Sequence, residues 1–242
     1  MPGTSSNLRR AVVLCALSVL LAGGCQRAPV ETPHAPTLPP LPAYPPAGAV
    51  RYVLDAAESD LRIVVYRGGP LAQFGHNHVL RAGDLRGEVY LASEFHRSAF
   101  ALEFSPAGLI VDPPDARAAE GPDFASEPSP EAVAGTRDNL LGPRVLDVER
   151  FPLITLRSVA LAGGEDTAVA TVRVGLHGIE RDLGFPVTVS RRTDRIVAEG
   201  TLRLSTPDFG IPSFTVMGGG LRVEEEVTIR FRIVAEKPED RR

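Results

Sequence analysis

The chain has 242 residues, 43% of them hydrophobic and 23% charged, with a formal net charge of −4. That composition supports one sizeable core, and the acidic balance excludes a protein built to track a nucleic-acid backbone. Both cysteines, Cys15 and Cys25, fall at the very start, which excludes a disulfide or a cysteine-ligated zinc site in the remainder.

Residues 1–25 have the layout of an export signal. Arg9 and Arg10 form a short positive start, and residues 11–21 are an apolar stretch too short to span a bilayer. The Arg pair lacks the surrounding pattern of a twin-arginine signal. Ala22-Gly23-Gly24-Cys25 resembles the end of a bacterial lipoprotein signal, in which small residues precede a cysteine that is lipidated after cleavage. The expectation is a lipidated Cys25 and, through it, a membrane anchor; an ordinary secreted protein cut near the same place is the alternative. Gln26, rather than Asp, follows the cysteine, which in lipoproteins points to the outer membrane. The expected location is therefore the periplasmic side of the cell envelope, lipid-anchored at the outer membrane. Residues 26–50 follow as a tether, with Pro29, Pro33, Pro36, Pro39, Pro40, Pro42, Pro45 and Pro46 favouring an extended chain that buries no core.

Residues 51–236 form the expected folded domain, and 237–242 a charged tail. Leu61, Ile63 and Val65 alternate with Arg62 and Val64. Leu85, Val89 and Leu91 alternate with Arg86, Glu88 and Tyr90. Phe100, Leu102 and Phe104 alternate with Ala101 and Glu103. Later, Leu202 and Leu204 alternate with Thr201 and Arg203, and Ile229 and Phe231 with Thr228, Arg230 and Arg232. Such period-two runs are half-buried antiparallel strands. Gly163-Gly164 and Thr193-Asp194 are turn signals between them. About eight strands are expected, evenly spread, in an all-β fold with minor α content that closes into an antiparallel barrel. Two segments interrupt them. Residues 111–130 are acidic and rich in Pro and read as a mobile loop. Residues 129–141 read as a helix, with Ser129 as N-cap and Glu131 in its first turn. A second short helix is expected over 143–148.

One cluster of titratable side chains stands out within residues 71–87: His76 and His78, between Phe74 and the apolar pair Val79–Leu80. On a strand they face one way, about 7 Å apart. Two imidazoles on one face suit a metal, with His177 or His96 as a third ligand and Asp84 or Asp138 as a carboxylate. His-x-His is a weak metal motif by itself, and the pair better suits the mouth of a container, where imidazole meets a polar head group. Catalysis finds no matching motif: no nucleophile elbow and no phosphate-cradling loop are present.

The domain resembles the YceI-like family throughout. The matching residues are Tyr52-Val53-Leu54-Asp55 with Ser59, Phe74-Gly75-His76, and Gly87-Glu88-Val89. The helix-to-strand block Arg137-Asp138-Asn139-Leu140-Leu141, Leu146-Asp147 and Phe151-Pro152-Leu153-Ile154, with Ser158, is the most specific. Leu176-His177-Gly178-Ile179 and Asp208-Phe209-Gly210-Ile211 complete the set. Asn139-Leu140 stands where many relatives place a histidine, Arg181-Asp182 replaces the usual Lys-Pro, and residues 111–130 are extra length. The resemblance implies a periplasmic, extended lipocalin-like barrel that binds an isoprenoid or related long-chain lipid without catalysis, in a family whose members often pair as homodimers. Cavity-wall candidates are Ile63, Val65, Leu85, Val89, Phe100, Leu102, Phe104, Leu202, Leu204, Ile229 and Phe231. Mouth candidates are His76, His78, His177 and Arg137, although Arg137 with Asp138 reads first as a tether of the helix to the barrel through an ion pair or backbone hydrogen bonds. No cofactor is expected besides the lipid. The alternative is an envelope metal-binding protein or metalloenzyme centred on His76 and His78.

Overall fold

The computed structural model describes residues 38–164 and 166–238. The expected signal with Cys25, residues 26–37 of the tether and residues 239–242 of the tail lie outside that range.

The barrel is a ring of eight antiparallel strands. Three of its members are long strands broken in the middle. β1 (Val50–Leu54) and β2 (Asp60–Val65) run beside the same neighbour, β14 (Glu226–Glu236). The break between them is stitched to β14: Asp55 N–H donates to the Val234 carbonyl at 2.9 Å, and Ser59 Oγ accepts from Val234 N–H at 3.0 Å. β4 (His78–Ala82) and β5 (Arg86–Leu91) continue each other in the same way, pairing with β2 and β1. β6 (Ala99–Phe104) and β7 (Leu109–Val111) then pair with β5 and β4. At this third break Gly83 N–H donates to the Gly108 carbonyl at 3.2 Å. β8 (Ile154–Gly163), β9 (Thr167–Leu176), β10 (Ile179–Arg191) and β11 (Arg195–Ser205) carry the ring round to β14. The β1–β14 pairing closes it, so the ring leaves no long edge to aggregate.

The turns follow their sequence signals. His177 (φ 53°) and Gly178 (φ 74°) form a two-residue hairpin between β9 and β10, with both residues in the left-handed region that such turns need. Thr193-Asp194 turns β10 into β11, where Arg192 N–H donates to the Arg195 carbonyl at 2.7 Å. β8 shifts register between Ser158 and Ala160. The extra residue moves the inward set from Ile154 and Leu156 to Leu161.

The segment expected to be a mobile loop is built structure. It holds the end of β7, helix α1 (Pro114–Ala119) and a helical turn at Pro122–Phe124. The reason is a second apolar face. Val64 and Val79 point out of the barrel, and Ala116 and Phe124 bury them in a small outer core edged by Tyr66. Helix α2 (Pro130–Leu141) forms as expected: Ser129 Oγ accepts from Ala132 N–H at 3.2 Å and Pro130 opens the helix. The helix expected over 143–148 is instead a run of turns.

The last part of the tether, residues 38–49, lies on the barrel wall rather than free of it. Arg173 is 7% exposed and holds Asp182 at 2.7 Å while donating to the Pro39 carbonyl at 2.7 Å. Tyr44 packs edge-on to Tyr90. Burial and the Glu88 carboxylate push its phenol up to about 12.

Candidate ligand-binding site

Inward positions of the ring enclose a cavity of about 450 Å³, within the usual range of ligand pockets of about 300–1,000 Å³. Its walls are almost wholly aliphatic and aromatic. Ile63, Val65, Val89, Phe100, Ile229 and Phe231 point inward yet stay only partly buried, because they face open space rather than one another. A filled barrel would bury them. Phe231 is turned edge-on to Phe185 at 5.8 Å, and its ring fits because Gly200 lies opposite: a Cβ there would sit 2.6 Å from Phe231 Cζ.

Ten of the eleven expected wall residues line this space: Leu102, Phe104, Leu202 and Leu204 join those six. Leu85 does not; it is buried in the core beside the cavity. Sequence reasoning missed the walls contributed by β9 and β10, namely Val172, Val174, Phe185, Val187 and Val189, and missed Leu140 of α2.

The mouth lies where β2, β4, β11 and β14 meet the small sheet of β3 (Arg67–Gly68), β12 (Thr215–Val216) and β13 (Leu221–Val223). There the lining residues Arg67, Asn139, Val216 and Arg222 are exposed. Phe74 (64%) and Met217 (63%) stand open to solvent nearby.

His76 and His78 both line the cavity, their ring centroids 6.5 Å apart. His78 opens β4, and its Nδ1 lies 2.6 Å from Asp112 Oδ2. An ionised carboxylate only accepts, so the Nδ1 of His78 donates to Asp112. Asp112 is fully buried, with φ 53°. Its other oxygen accepts from Val79 N–H at 2.9 Å and from Arg117 at 2.6 Å. Burial pushes the Asp112 carboxyl up, but the bonds from His78, Val79 and Arg117 outweigh it and hold the carboxyl below its ordinary value. Arg117, 5% exposed, also donates to the carbonyls of Asn77, Phe124 and Ser126. Asp112 and Arg117 thus fix His78 from behind, and the sequence pattern named neither.

Two mouth candidates fall elsewhere. Arg137 reaches out of α2 to the Leu109 and Ala107 carbonyls, capping the free edge of β7. His177 packs against Phe151 with tilted rings 4.5 Å apart, and its Nδ1 meets the Phe209 carbonyl at 3.2 Å. Neither lines the cavity.

Of the further ligands named for the metal alternative, His177, His96 and Asp84 are engaged elsewhere. His96 is exposed beside Glu94, at the other end of the barrel. Asp84 accepts from Ser105 N–H. Among the described residues, the one grouping of three metal-capable side chains is Asp55, Glu58 and Glu236, at the far end of β14 from His78, and Arg195 already bridges its two glutamates.

Comparison with known proteins agrees with this architecture. The chain is similar in fold to Burkholderia cenocepacia BcnA, at TM-score 0.55 and 18% identity over 75% of this chain and 98% of that one. It is similar to a polyisoprenoid-binding domain from Saccharophagus degradans implicated in plant cell wall breakdown. There the TM-score is 0.52 and the identity 16%, over 77% of this chain and 98% of that one. No curated protein sequence matches. The YceI-like domain model matches residues 52–235, from the first barrel strand to the last, and the chain belongs to the YceI-like family.

Proposed function

We propose that this protein is a non-enzymatic carrier of a long-chain apolar lipid of the isoprenoid class, which lies in the barrel with its polar end at the mouth. The observation that carries the reading is the hollow, apolar bore of a closed barrel. Each methylene-sized group moved from water into such a bore contributes about 0.8 kcal/mol, so a long chain is held without a specific polar contact. The Saccharophagus degradans domain, described as polyisoprenoid-binding, supports the ligand class. At the mouth, His76 and His78 meet the head group, with His78 held in place by Asp112. Proteins of this family are periplasmic in general. The signal-like start and Cys25 support the same compartment, with a lipid anchor at the outer membrane.

Native mass spectrometry of the full chain purified from its own envelope tests the reading. The expected result is an added mass that organic extraction releases as a single long-chain lipid. A chain that purifies bare, and stays bare after incubation with linear prenols, overturns it.

A further inference from the structure

The cavity extends from the mouth to the opposite end of the barrel. That end carries the link between β5 and β6, a helical turn of Phe95, His96 and Arg97. His96 and Arg97 face solvent, while Phe95 turns inward, half-buried, and lines the cavity. The Arg191 guanidinium, at the end of β10, lies 5.3 Å from the centre of the Phe95 ring and lines the same end. A cation over an aromatic face is an attractive pairing, so ring and guanidinium brace each other across the bore. The inward positions leading to them include Ser98, Ala99, Ala170 and Ala198, side chains too small to stop a chain earlier.

We infer that Phe95 is the stop that sets the longest chain the cavity accepts. The inference rests on the carrier reading. A linear ligand enters at the His78 end with its head group held there, and its tail runs toward Phe95. Chains up to the stop gain burial with each unit added. A longer chain must fold back or leave its head group outside the mouth, and gains nothing further. Phe95 is an apolar residue among charged ones, Glu94, His96 and Arg97.

The test is a length ladder of linear all-trans prenols, each offered to the full chain and scored by native mass spectrometry. The wild type should bind up to a limit and no further. Phe95→Ala removes six ring carbons, close to one five-carbon isoprene unit. Its limit should therefore rise by about one unit, with shorter prenols bound as before. Ala198→Phe fills the bore short of the stop and should lower the limit. It is an independent arm if Phe95→Ala folds poorly. The same limit in wild type and both variants overturns the stop while leaving the carrier intact. Binding of no prenol at any length by the wild type overturns both.

Discussion

Asp112 shows how one side chain can organise a site from behind. Its carboxylate serves His78, Val79 and Arg117 at once and is buried from solvent. Asp112→Asn leaves the Arg117 guanidinium buried without its counter-charge, and denaturant unfolding should show a loss of about 3–5 kcal/mol. An unchanged midpoint would mean that Arg117 turns outward at little cost. The same residue sets an acid response. Folded Asp112 binds its proton less tightly than the unfolded chain does, so its contribution is complete above the ordinary carboxylate value of about 3.9. It is lost as pH falls through the lower, folded value. Plots of stability against pH should therefore fall more steeply below about pH 4 for wild type than for Asp112→Asn; parallel plots would refute the assignment. In the sequence, His76 and His78 were visible as an arranged pair, but their support was not. Asp112 and Arg117 sit in a stretch whose Pro and acid content signals a loop. The counter-signal lay across the chain, in Val64 and Val79, which are apolar where an outward strand position should be polar.

At the scale of elements, two arginines act as staples. Arg137 satisfies two carbonyls at the end of β7 that have no strand neighbour. Arg137→Ala should lower stability by about 1–3 kcal/mol in thermal unfolding and leave prenol binding unchanged. A selective loss of binding would return Arg137 to the mouth. Arg173 pins residues 38–49 through the Pro39 carbonyl. Arg173→Ala should speed protease cutting within that segment while the barrel stays intact, and an unaltered cutting rate would show that Tyr44 alone holds it. The strands with clean alternation, such as β6 and β14, were legible residue by residue. β9 and β10 were not. Val169 is an outward Val at 51% exposure, which blurs the period of β9. β10 carries Gly184 and Pro186, which ordinarily argue against a strand interior.

For the whole molecule, alternation predicted an enclosed inward face, and the ring of eight supplies it. What alternation cannot encode is whether that face meets itself or meets a void, since both need the same apolar residues at the same spacing. The answer lies in packing distances: Ile229 and Phe231 face inward and are still not fully covered. Nor could the sequence show that β1 with β2, β4 with β5 and β6 with β7 act as single broken strands, which is what brings the mouth histidines to the end of the bore. The central claim, that the guest lies inside the ring, is tested most directly by filling the ring. Ile229→Trp projects an indole into the open space while leaving β14 hydrogen-bonded to β11 and β2. Titration with a fluorescent long-chain prenol should give saturable, one-to-one binding to the wild type. A variant with the same far-UV circular dichroism should show at least a tenfold weaker affinity, about 1.4 kcal/mol. Equal affinity for both proteins would place the lipid on the outside of the barrel and contradict the account.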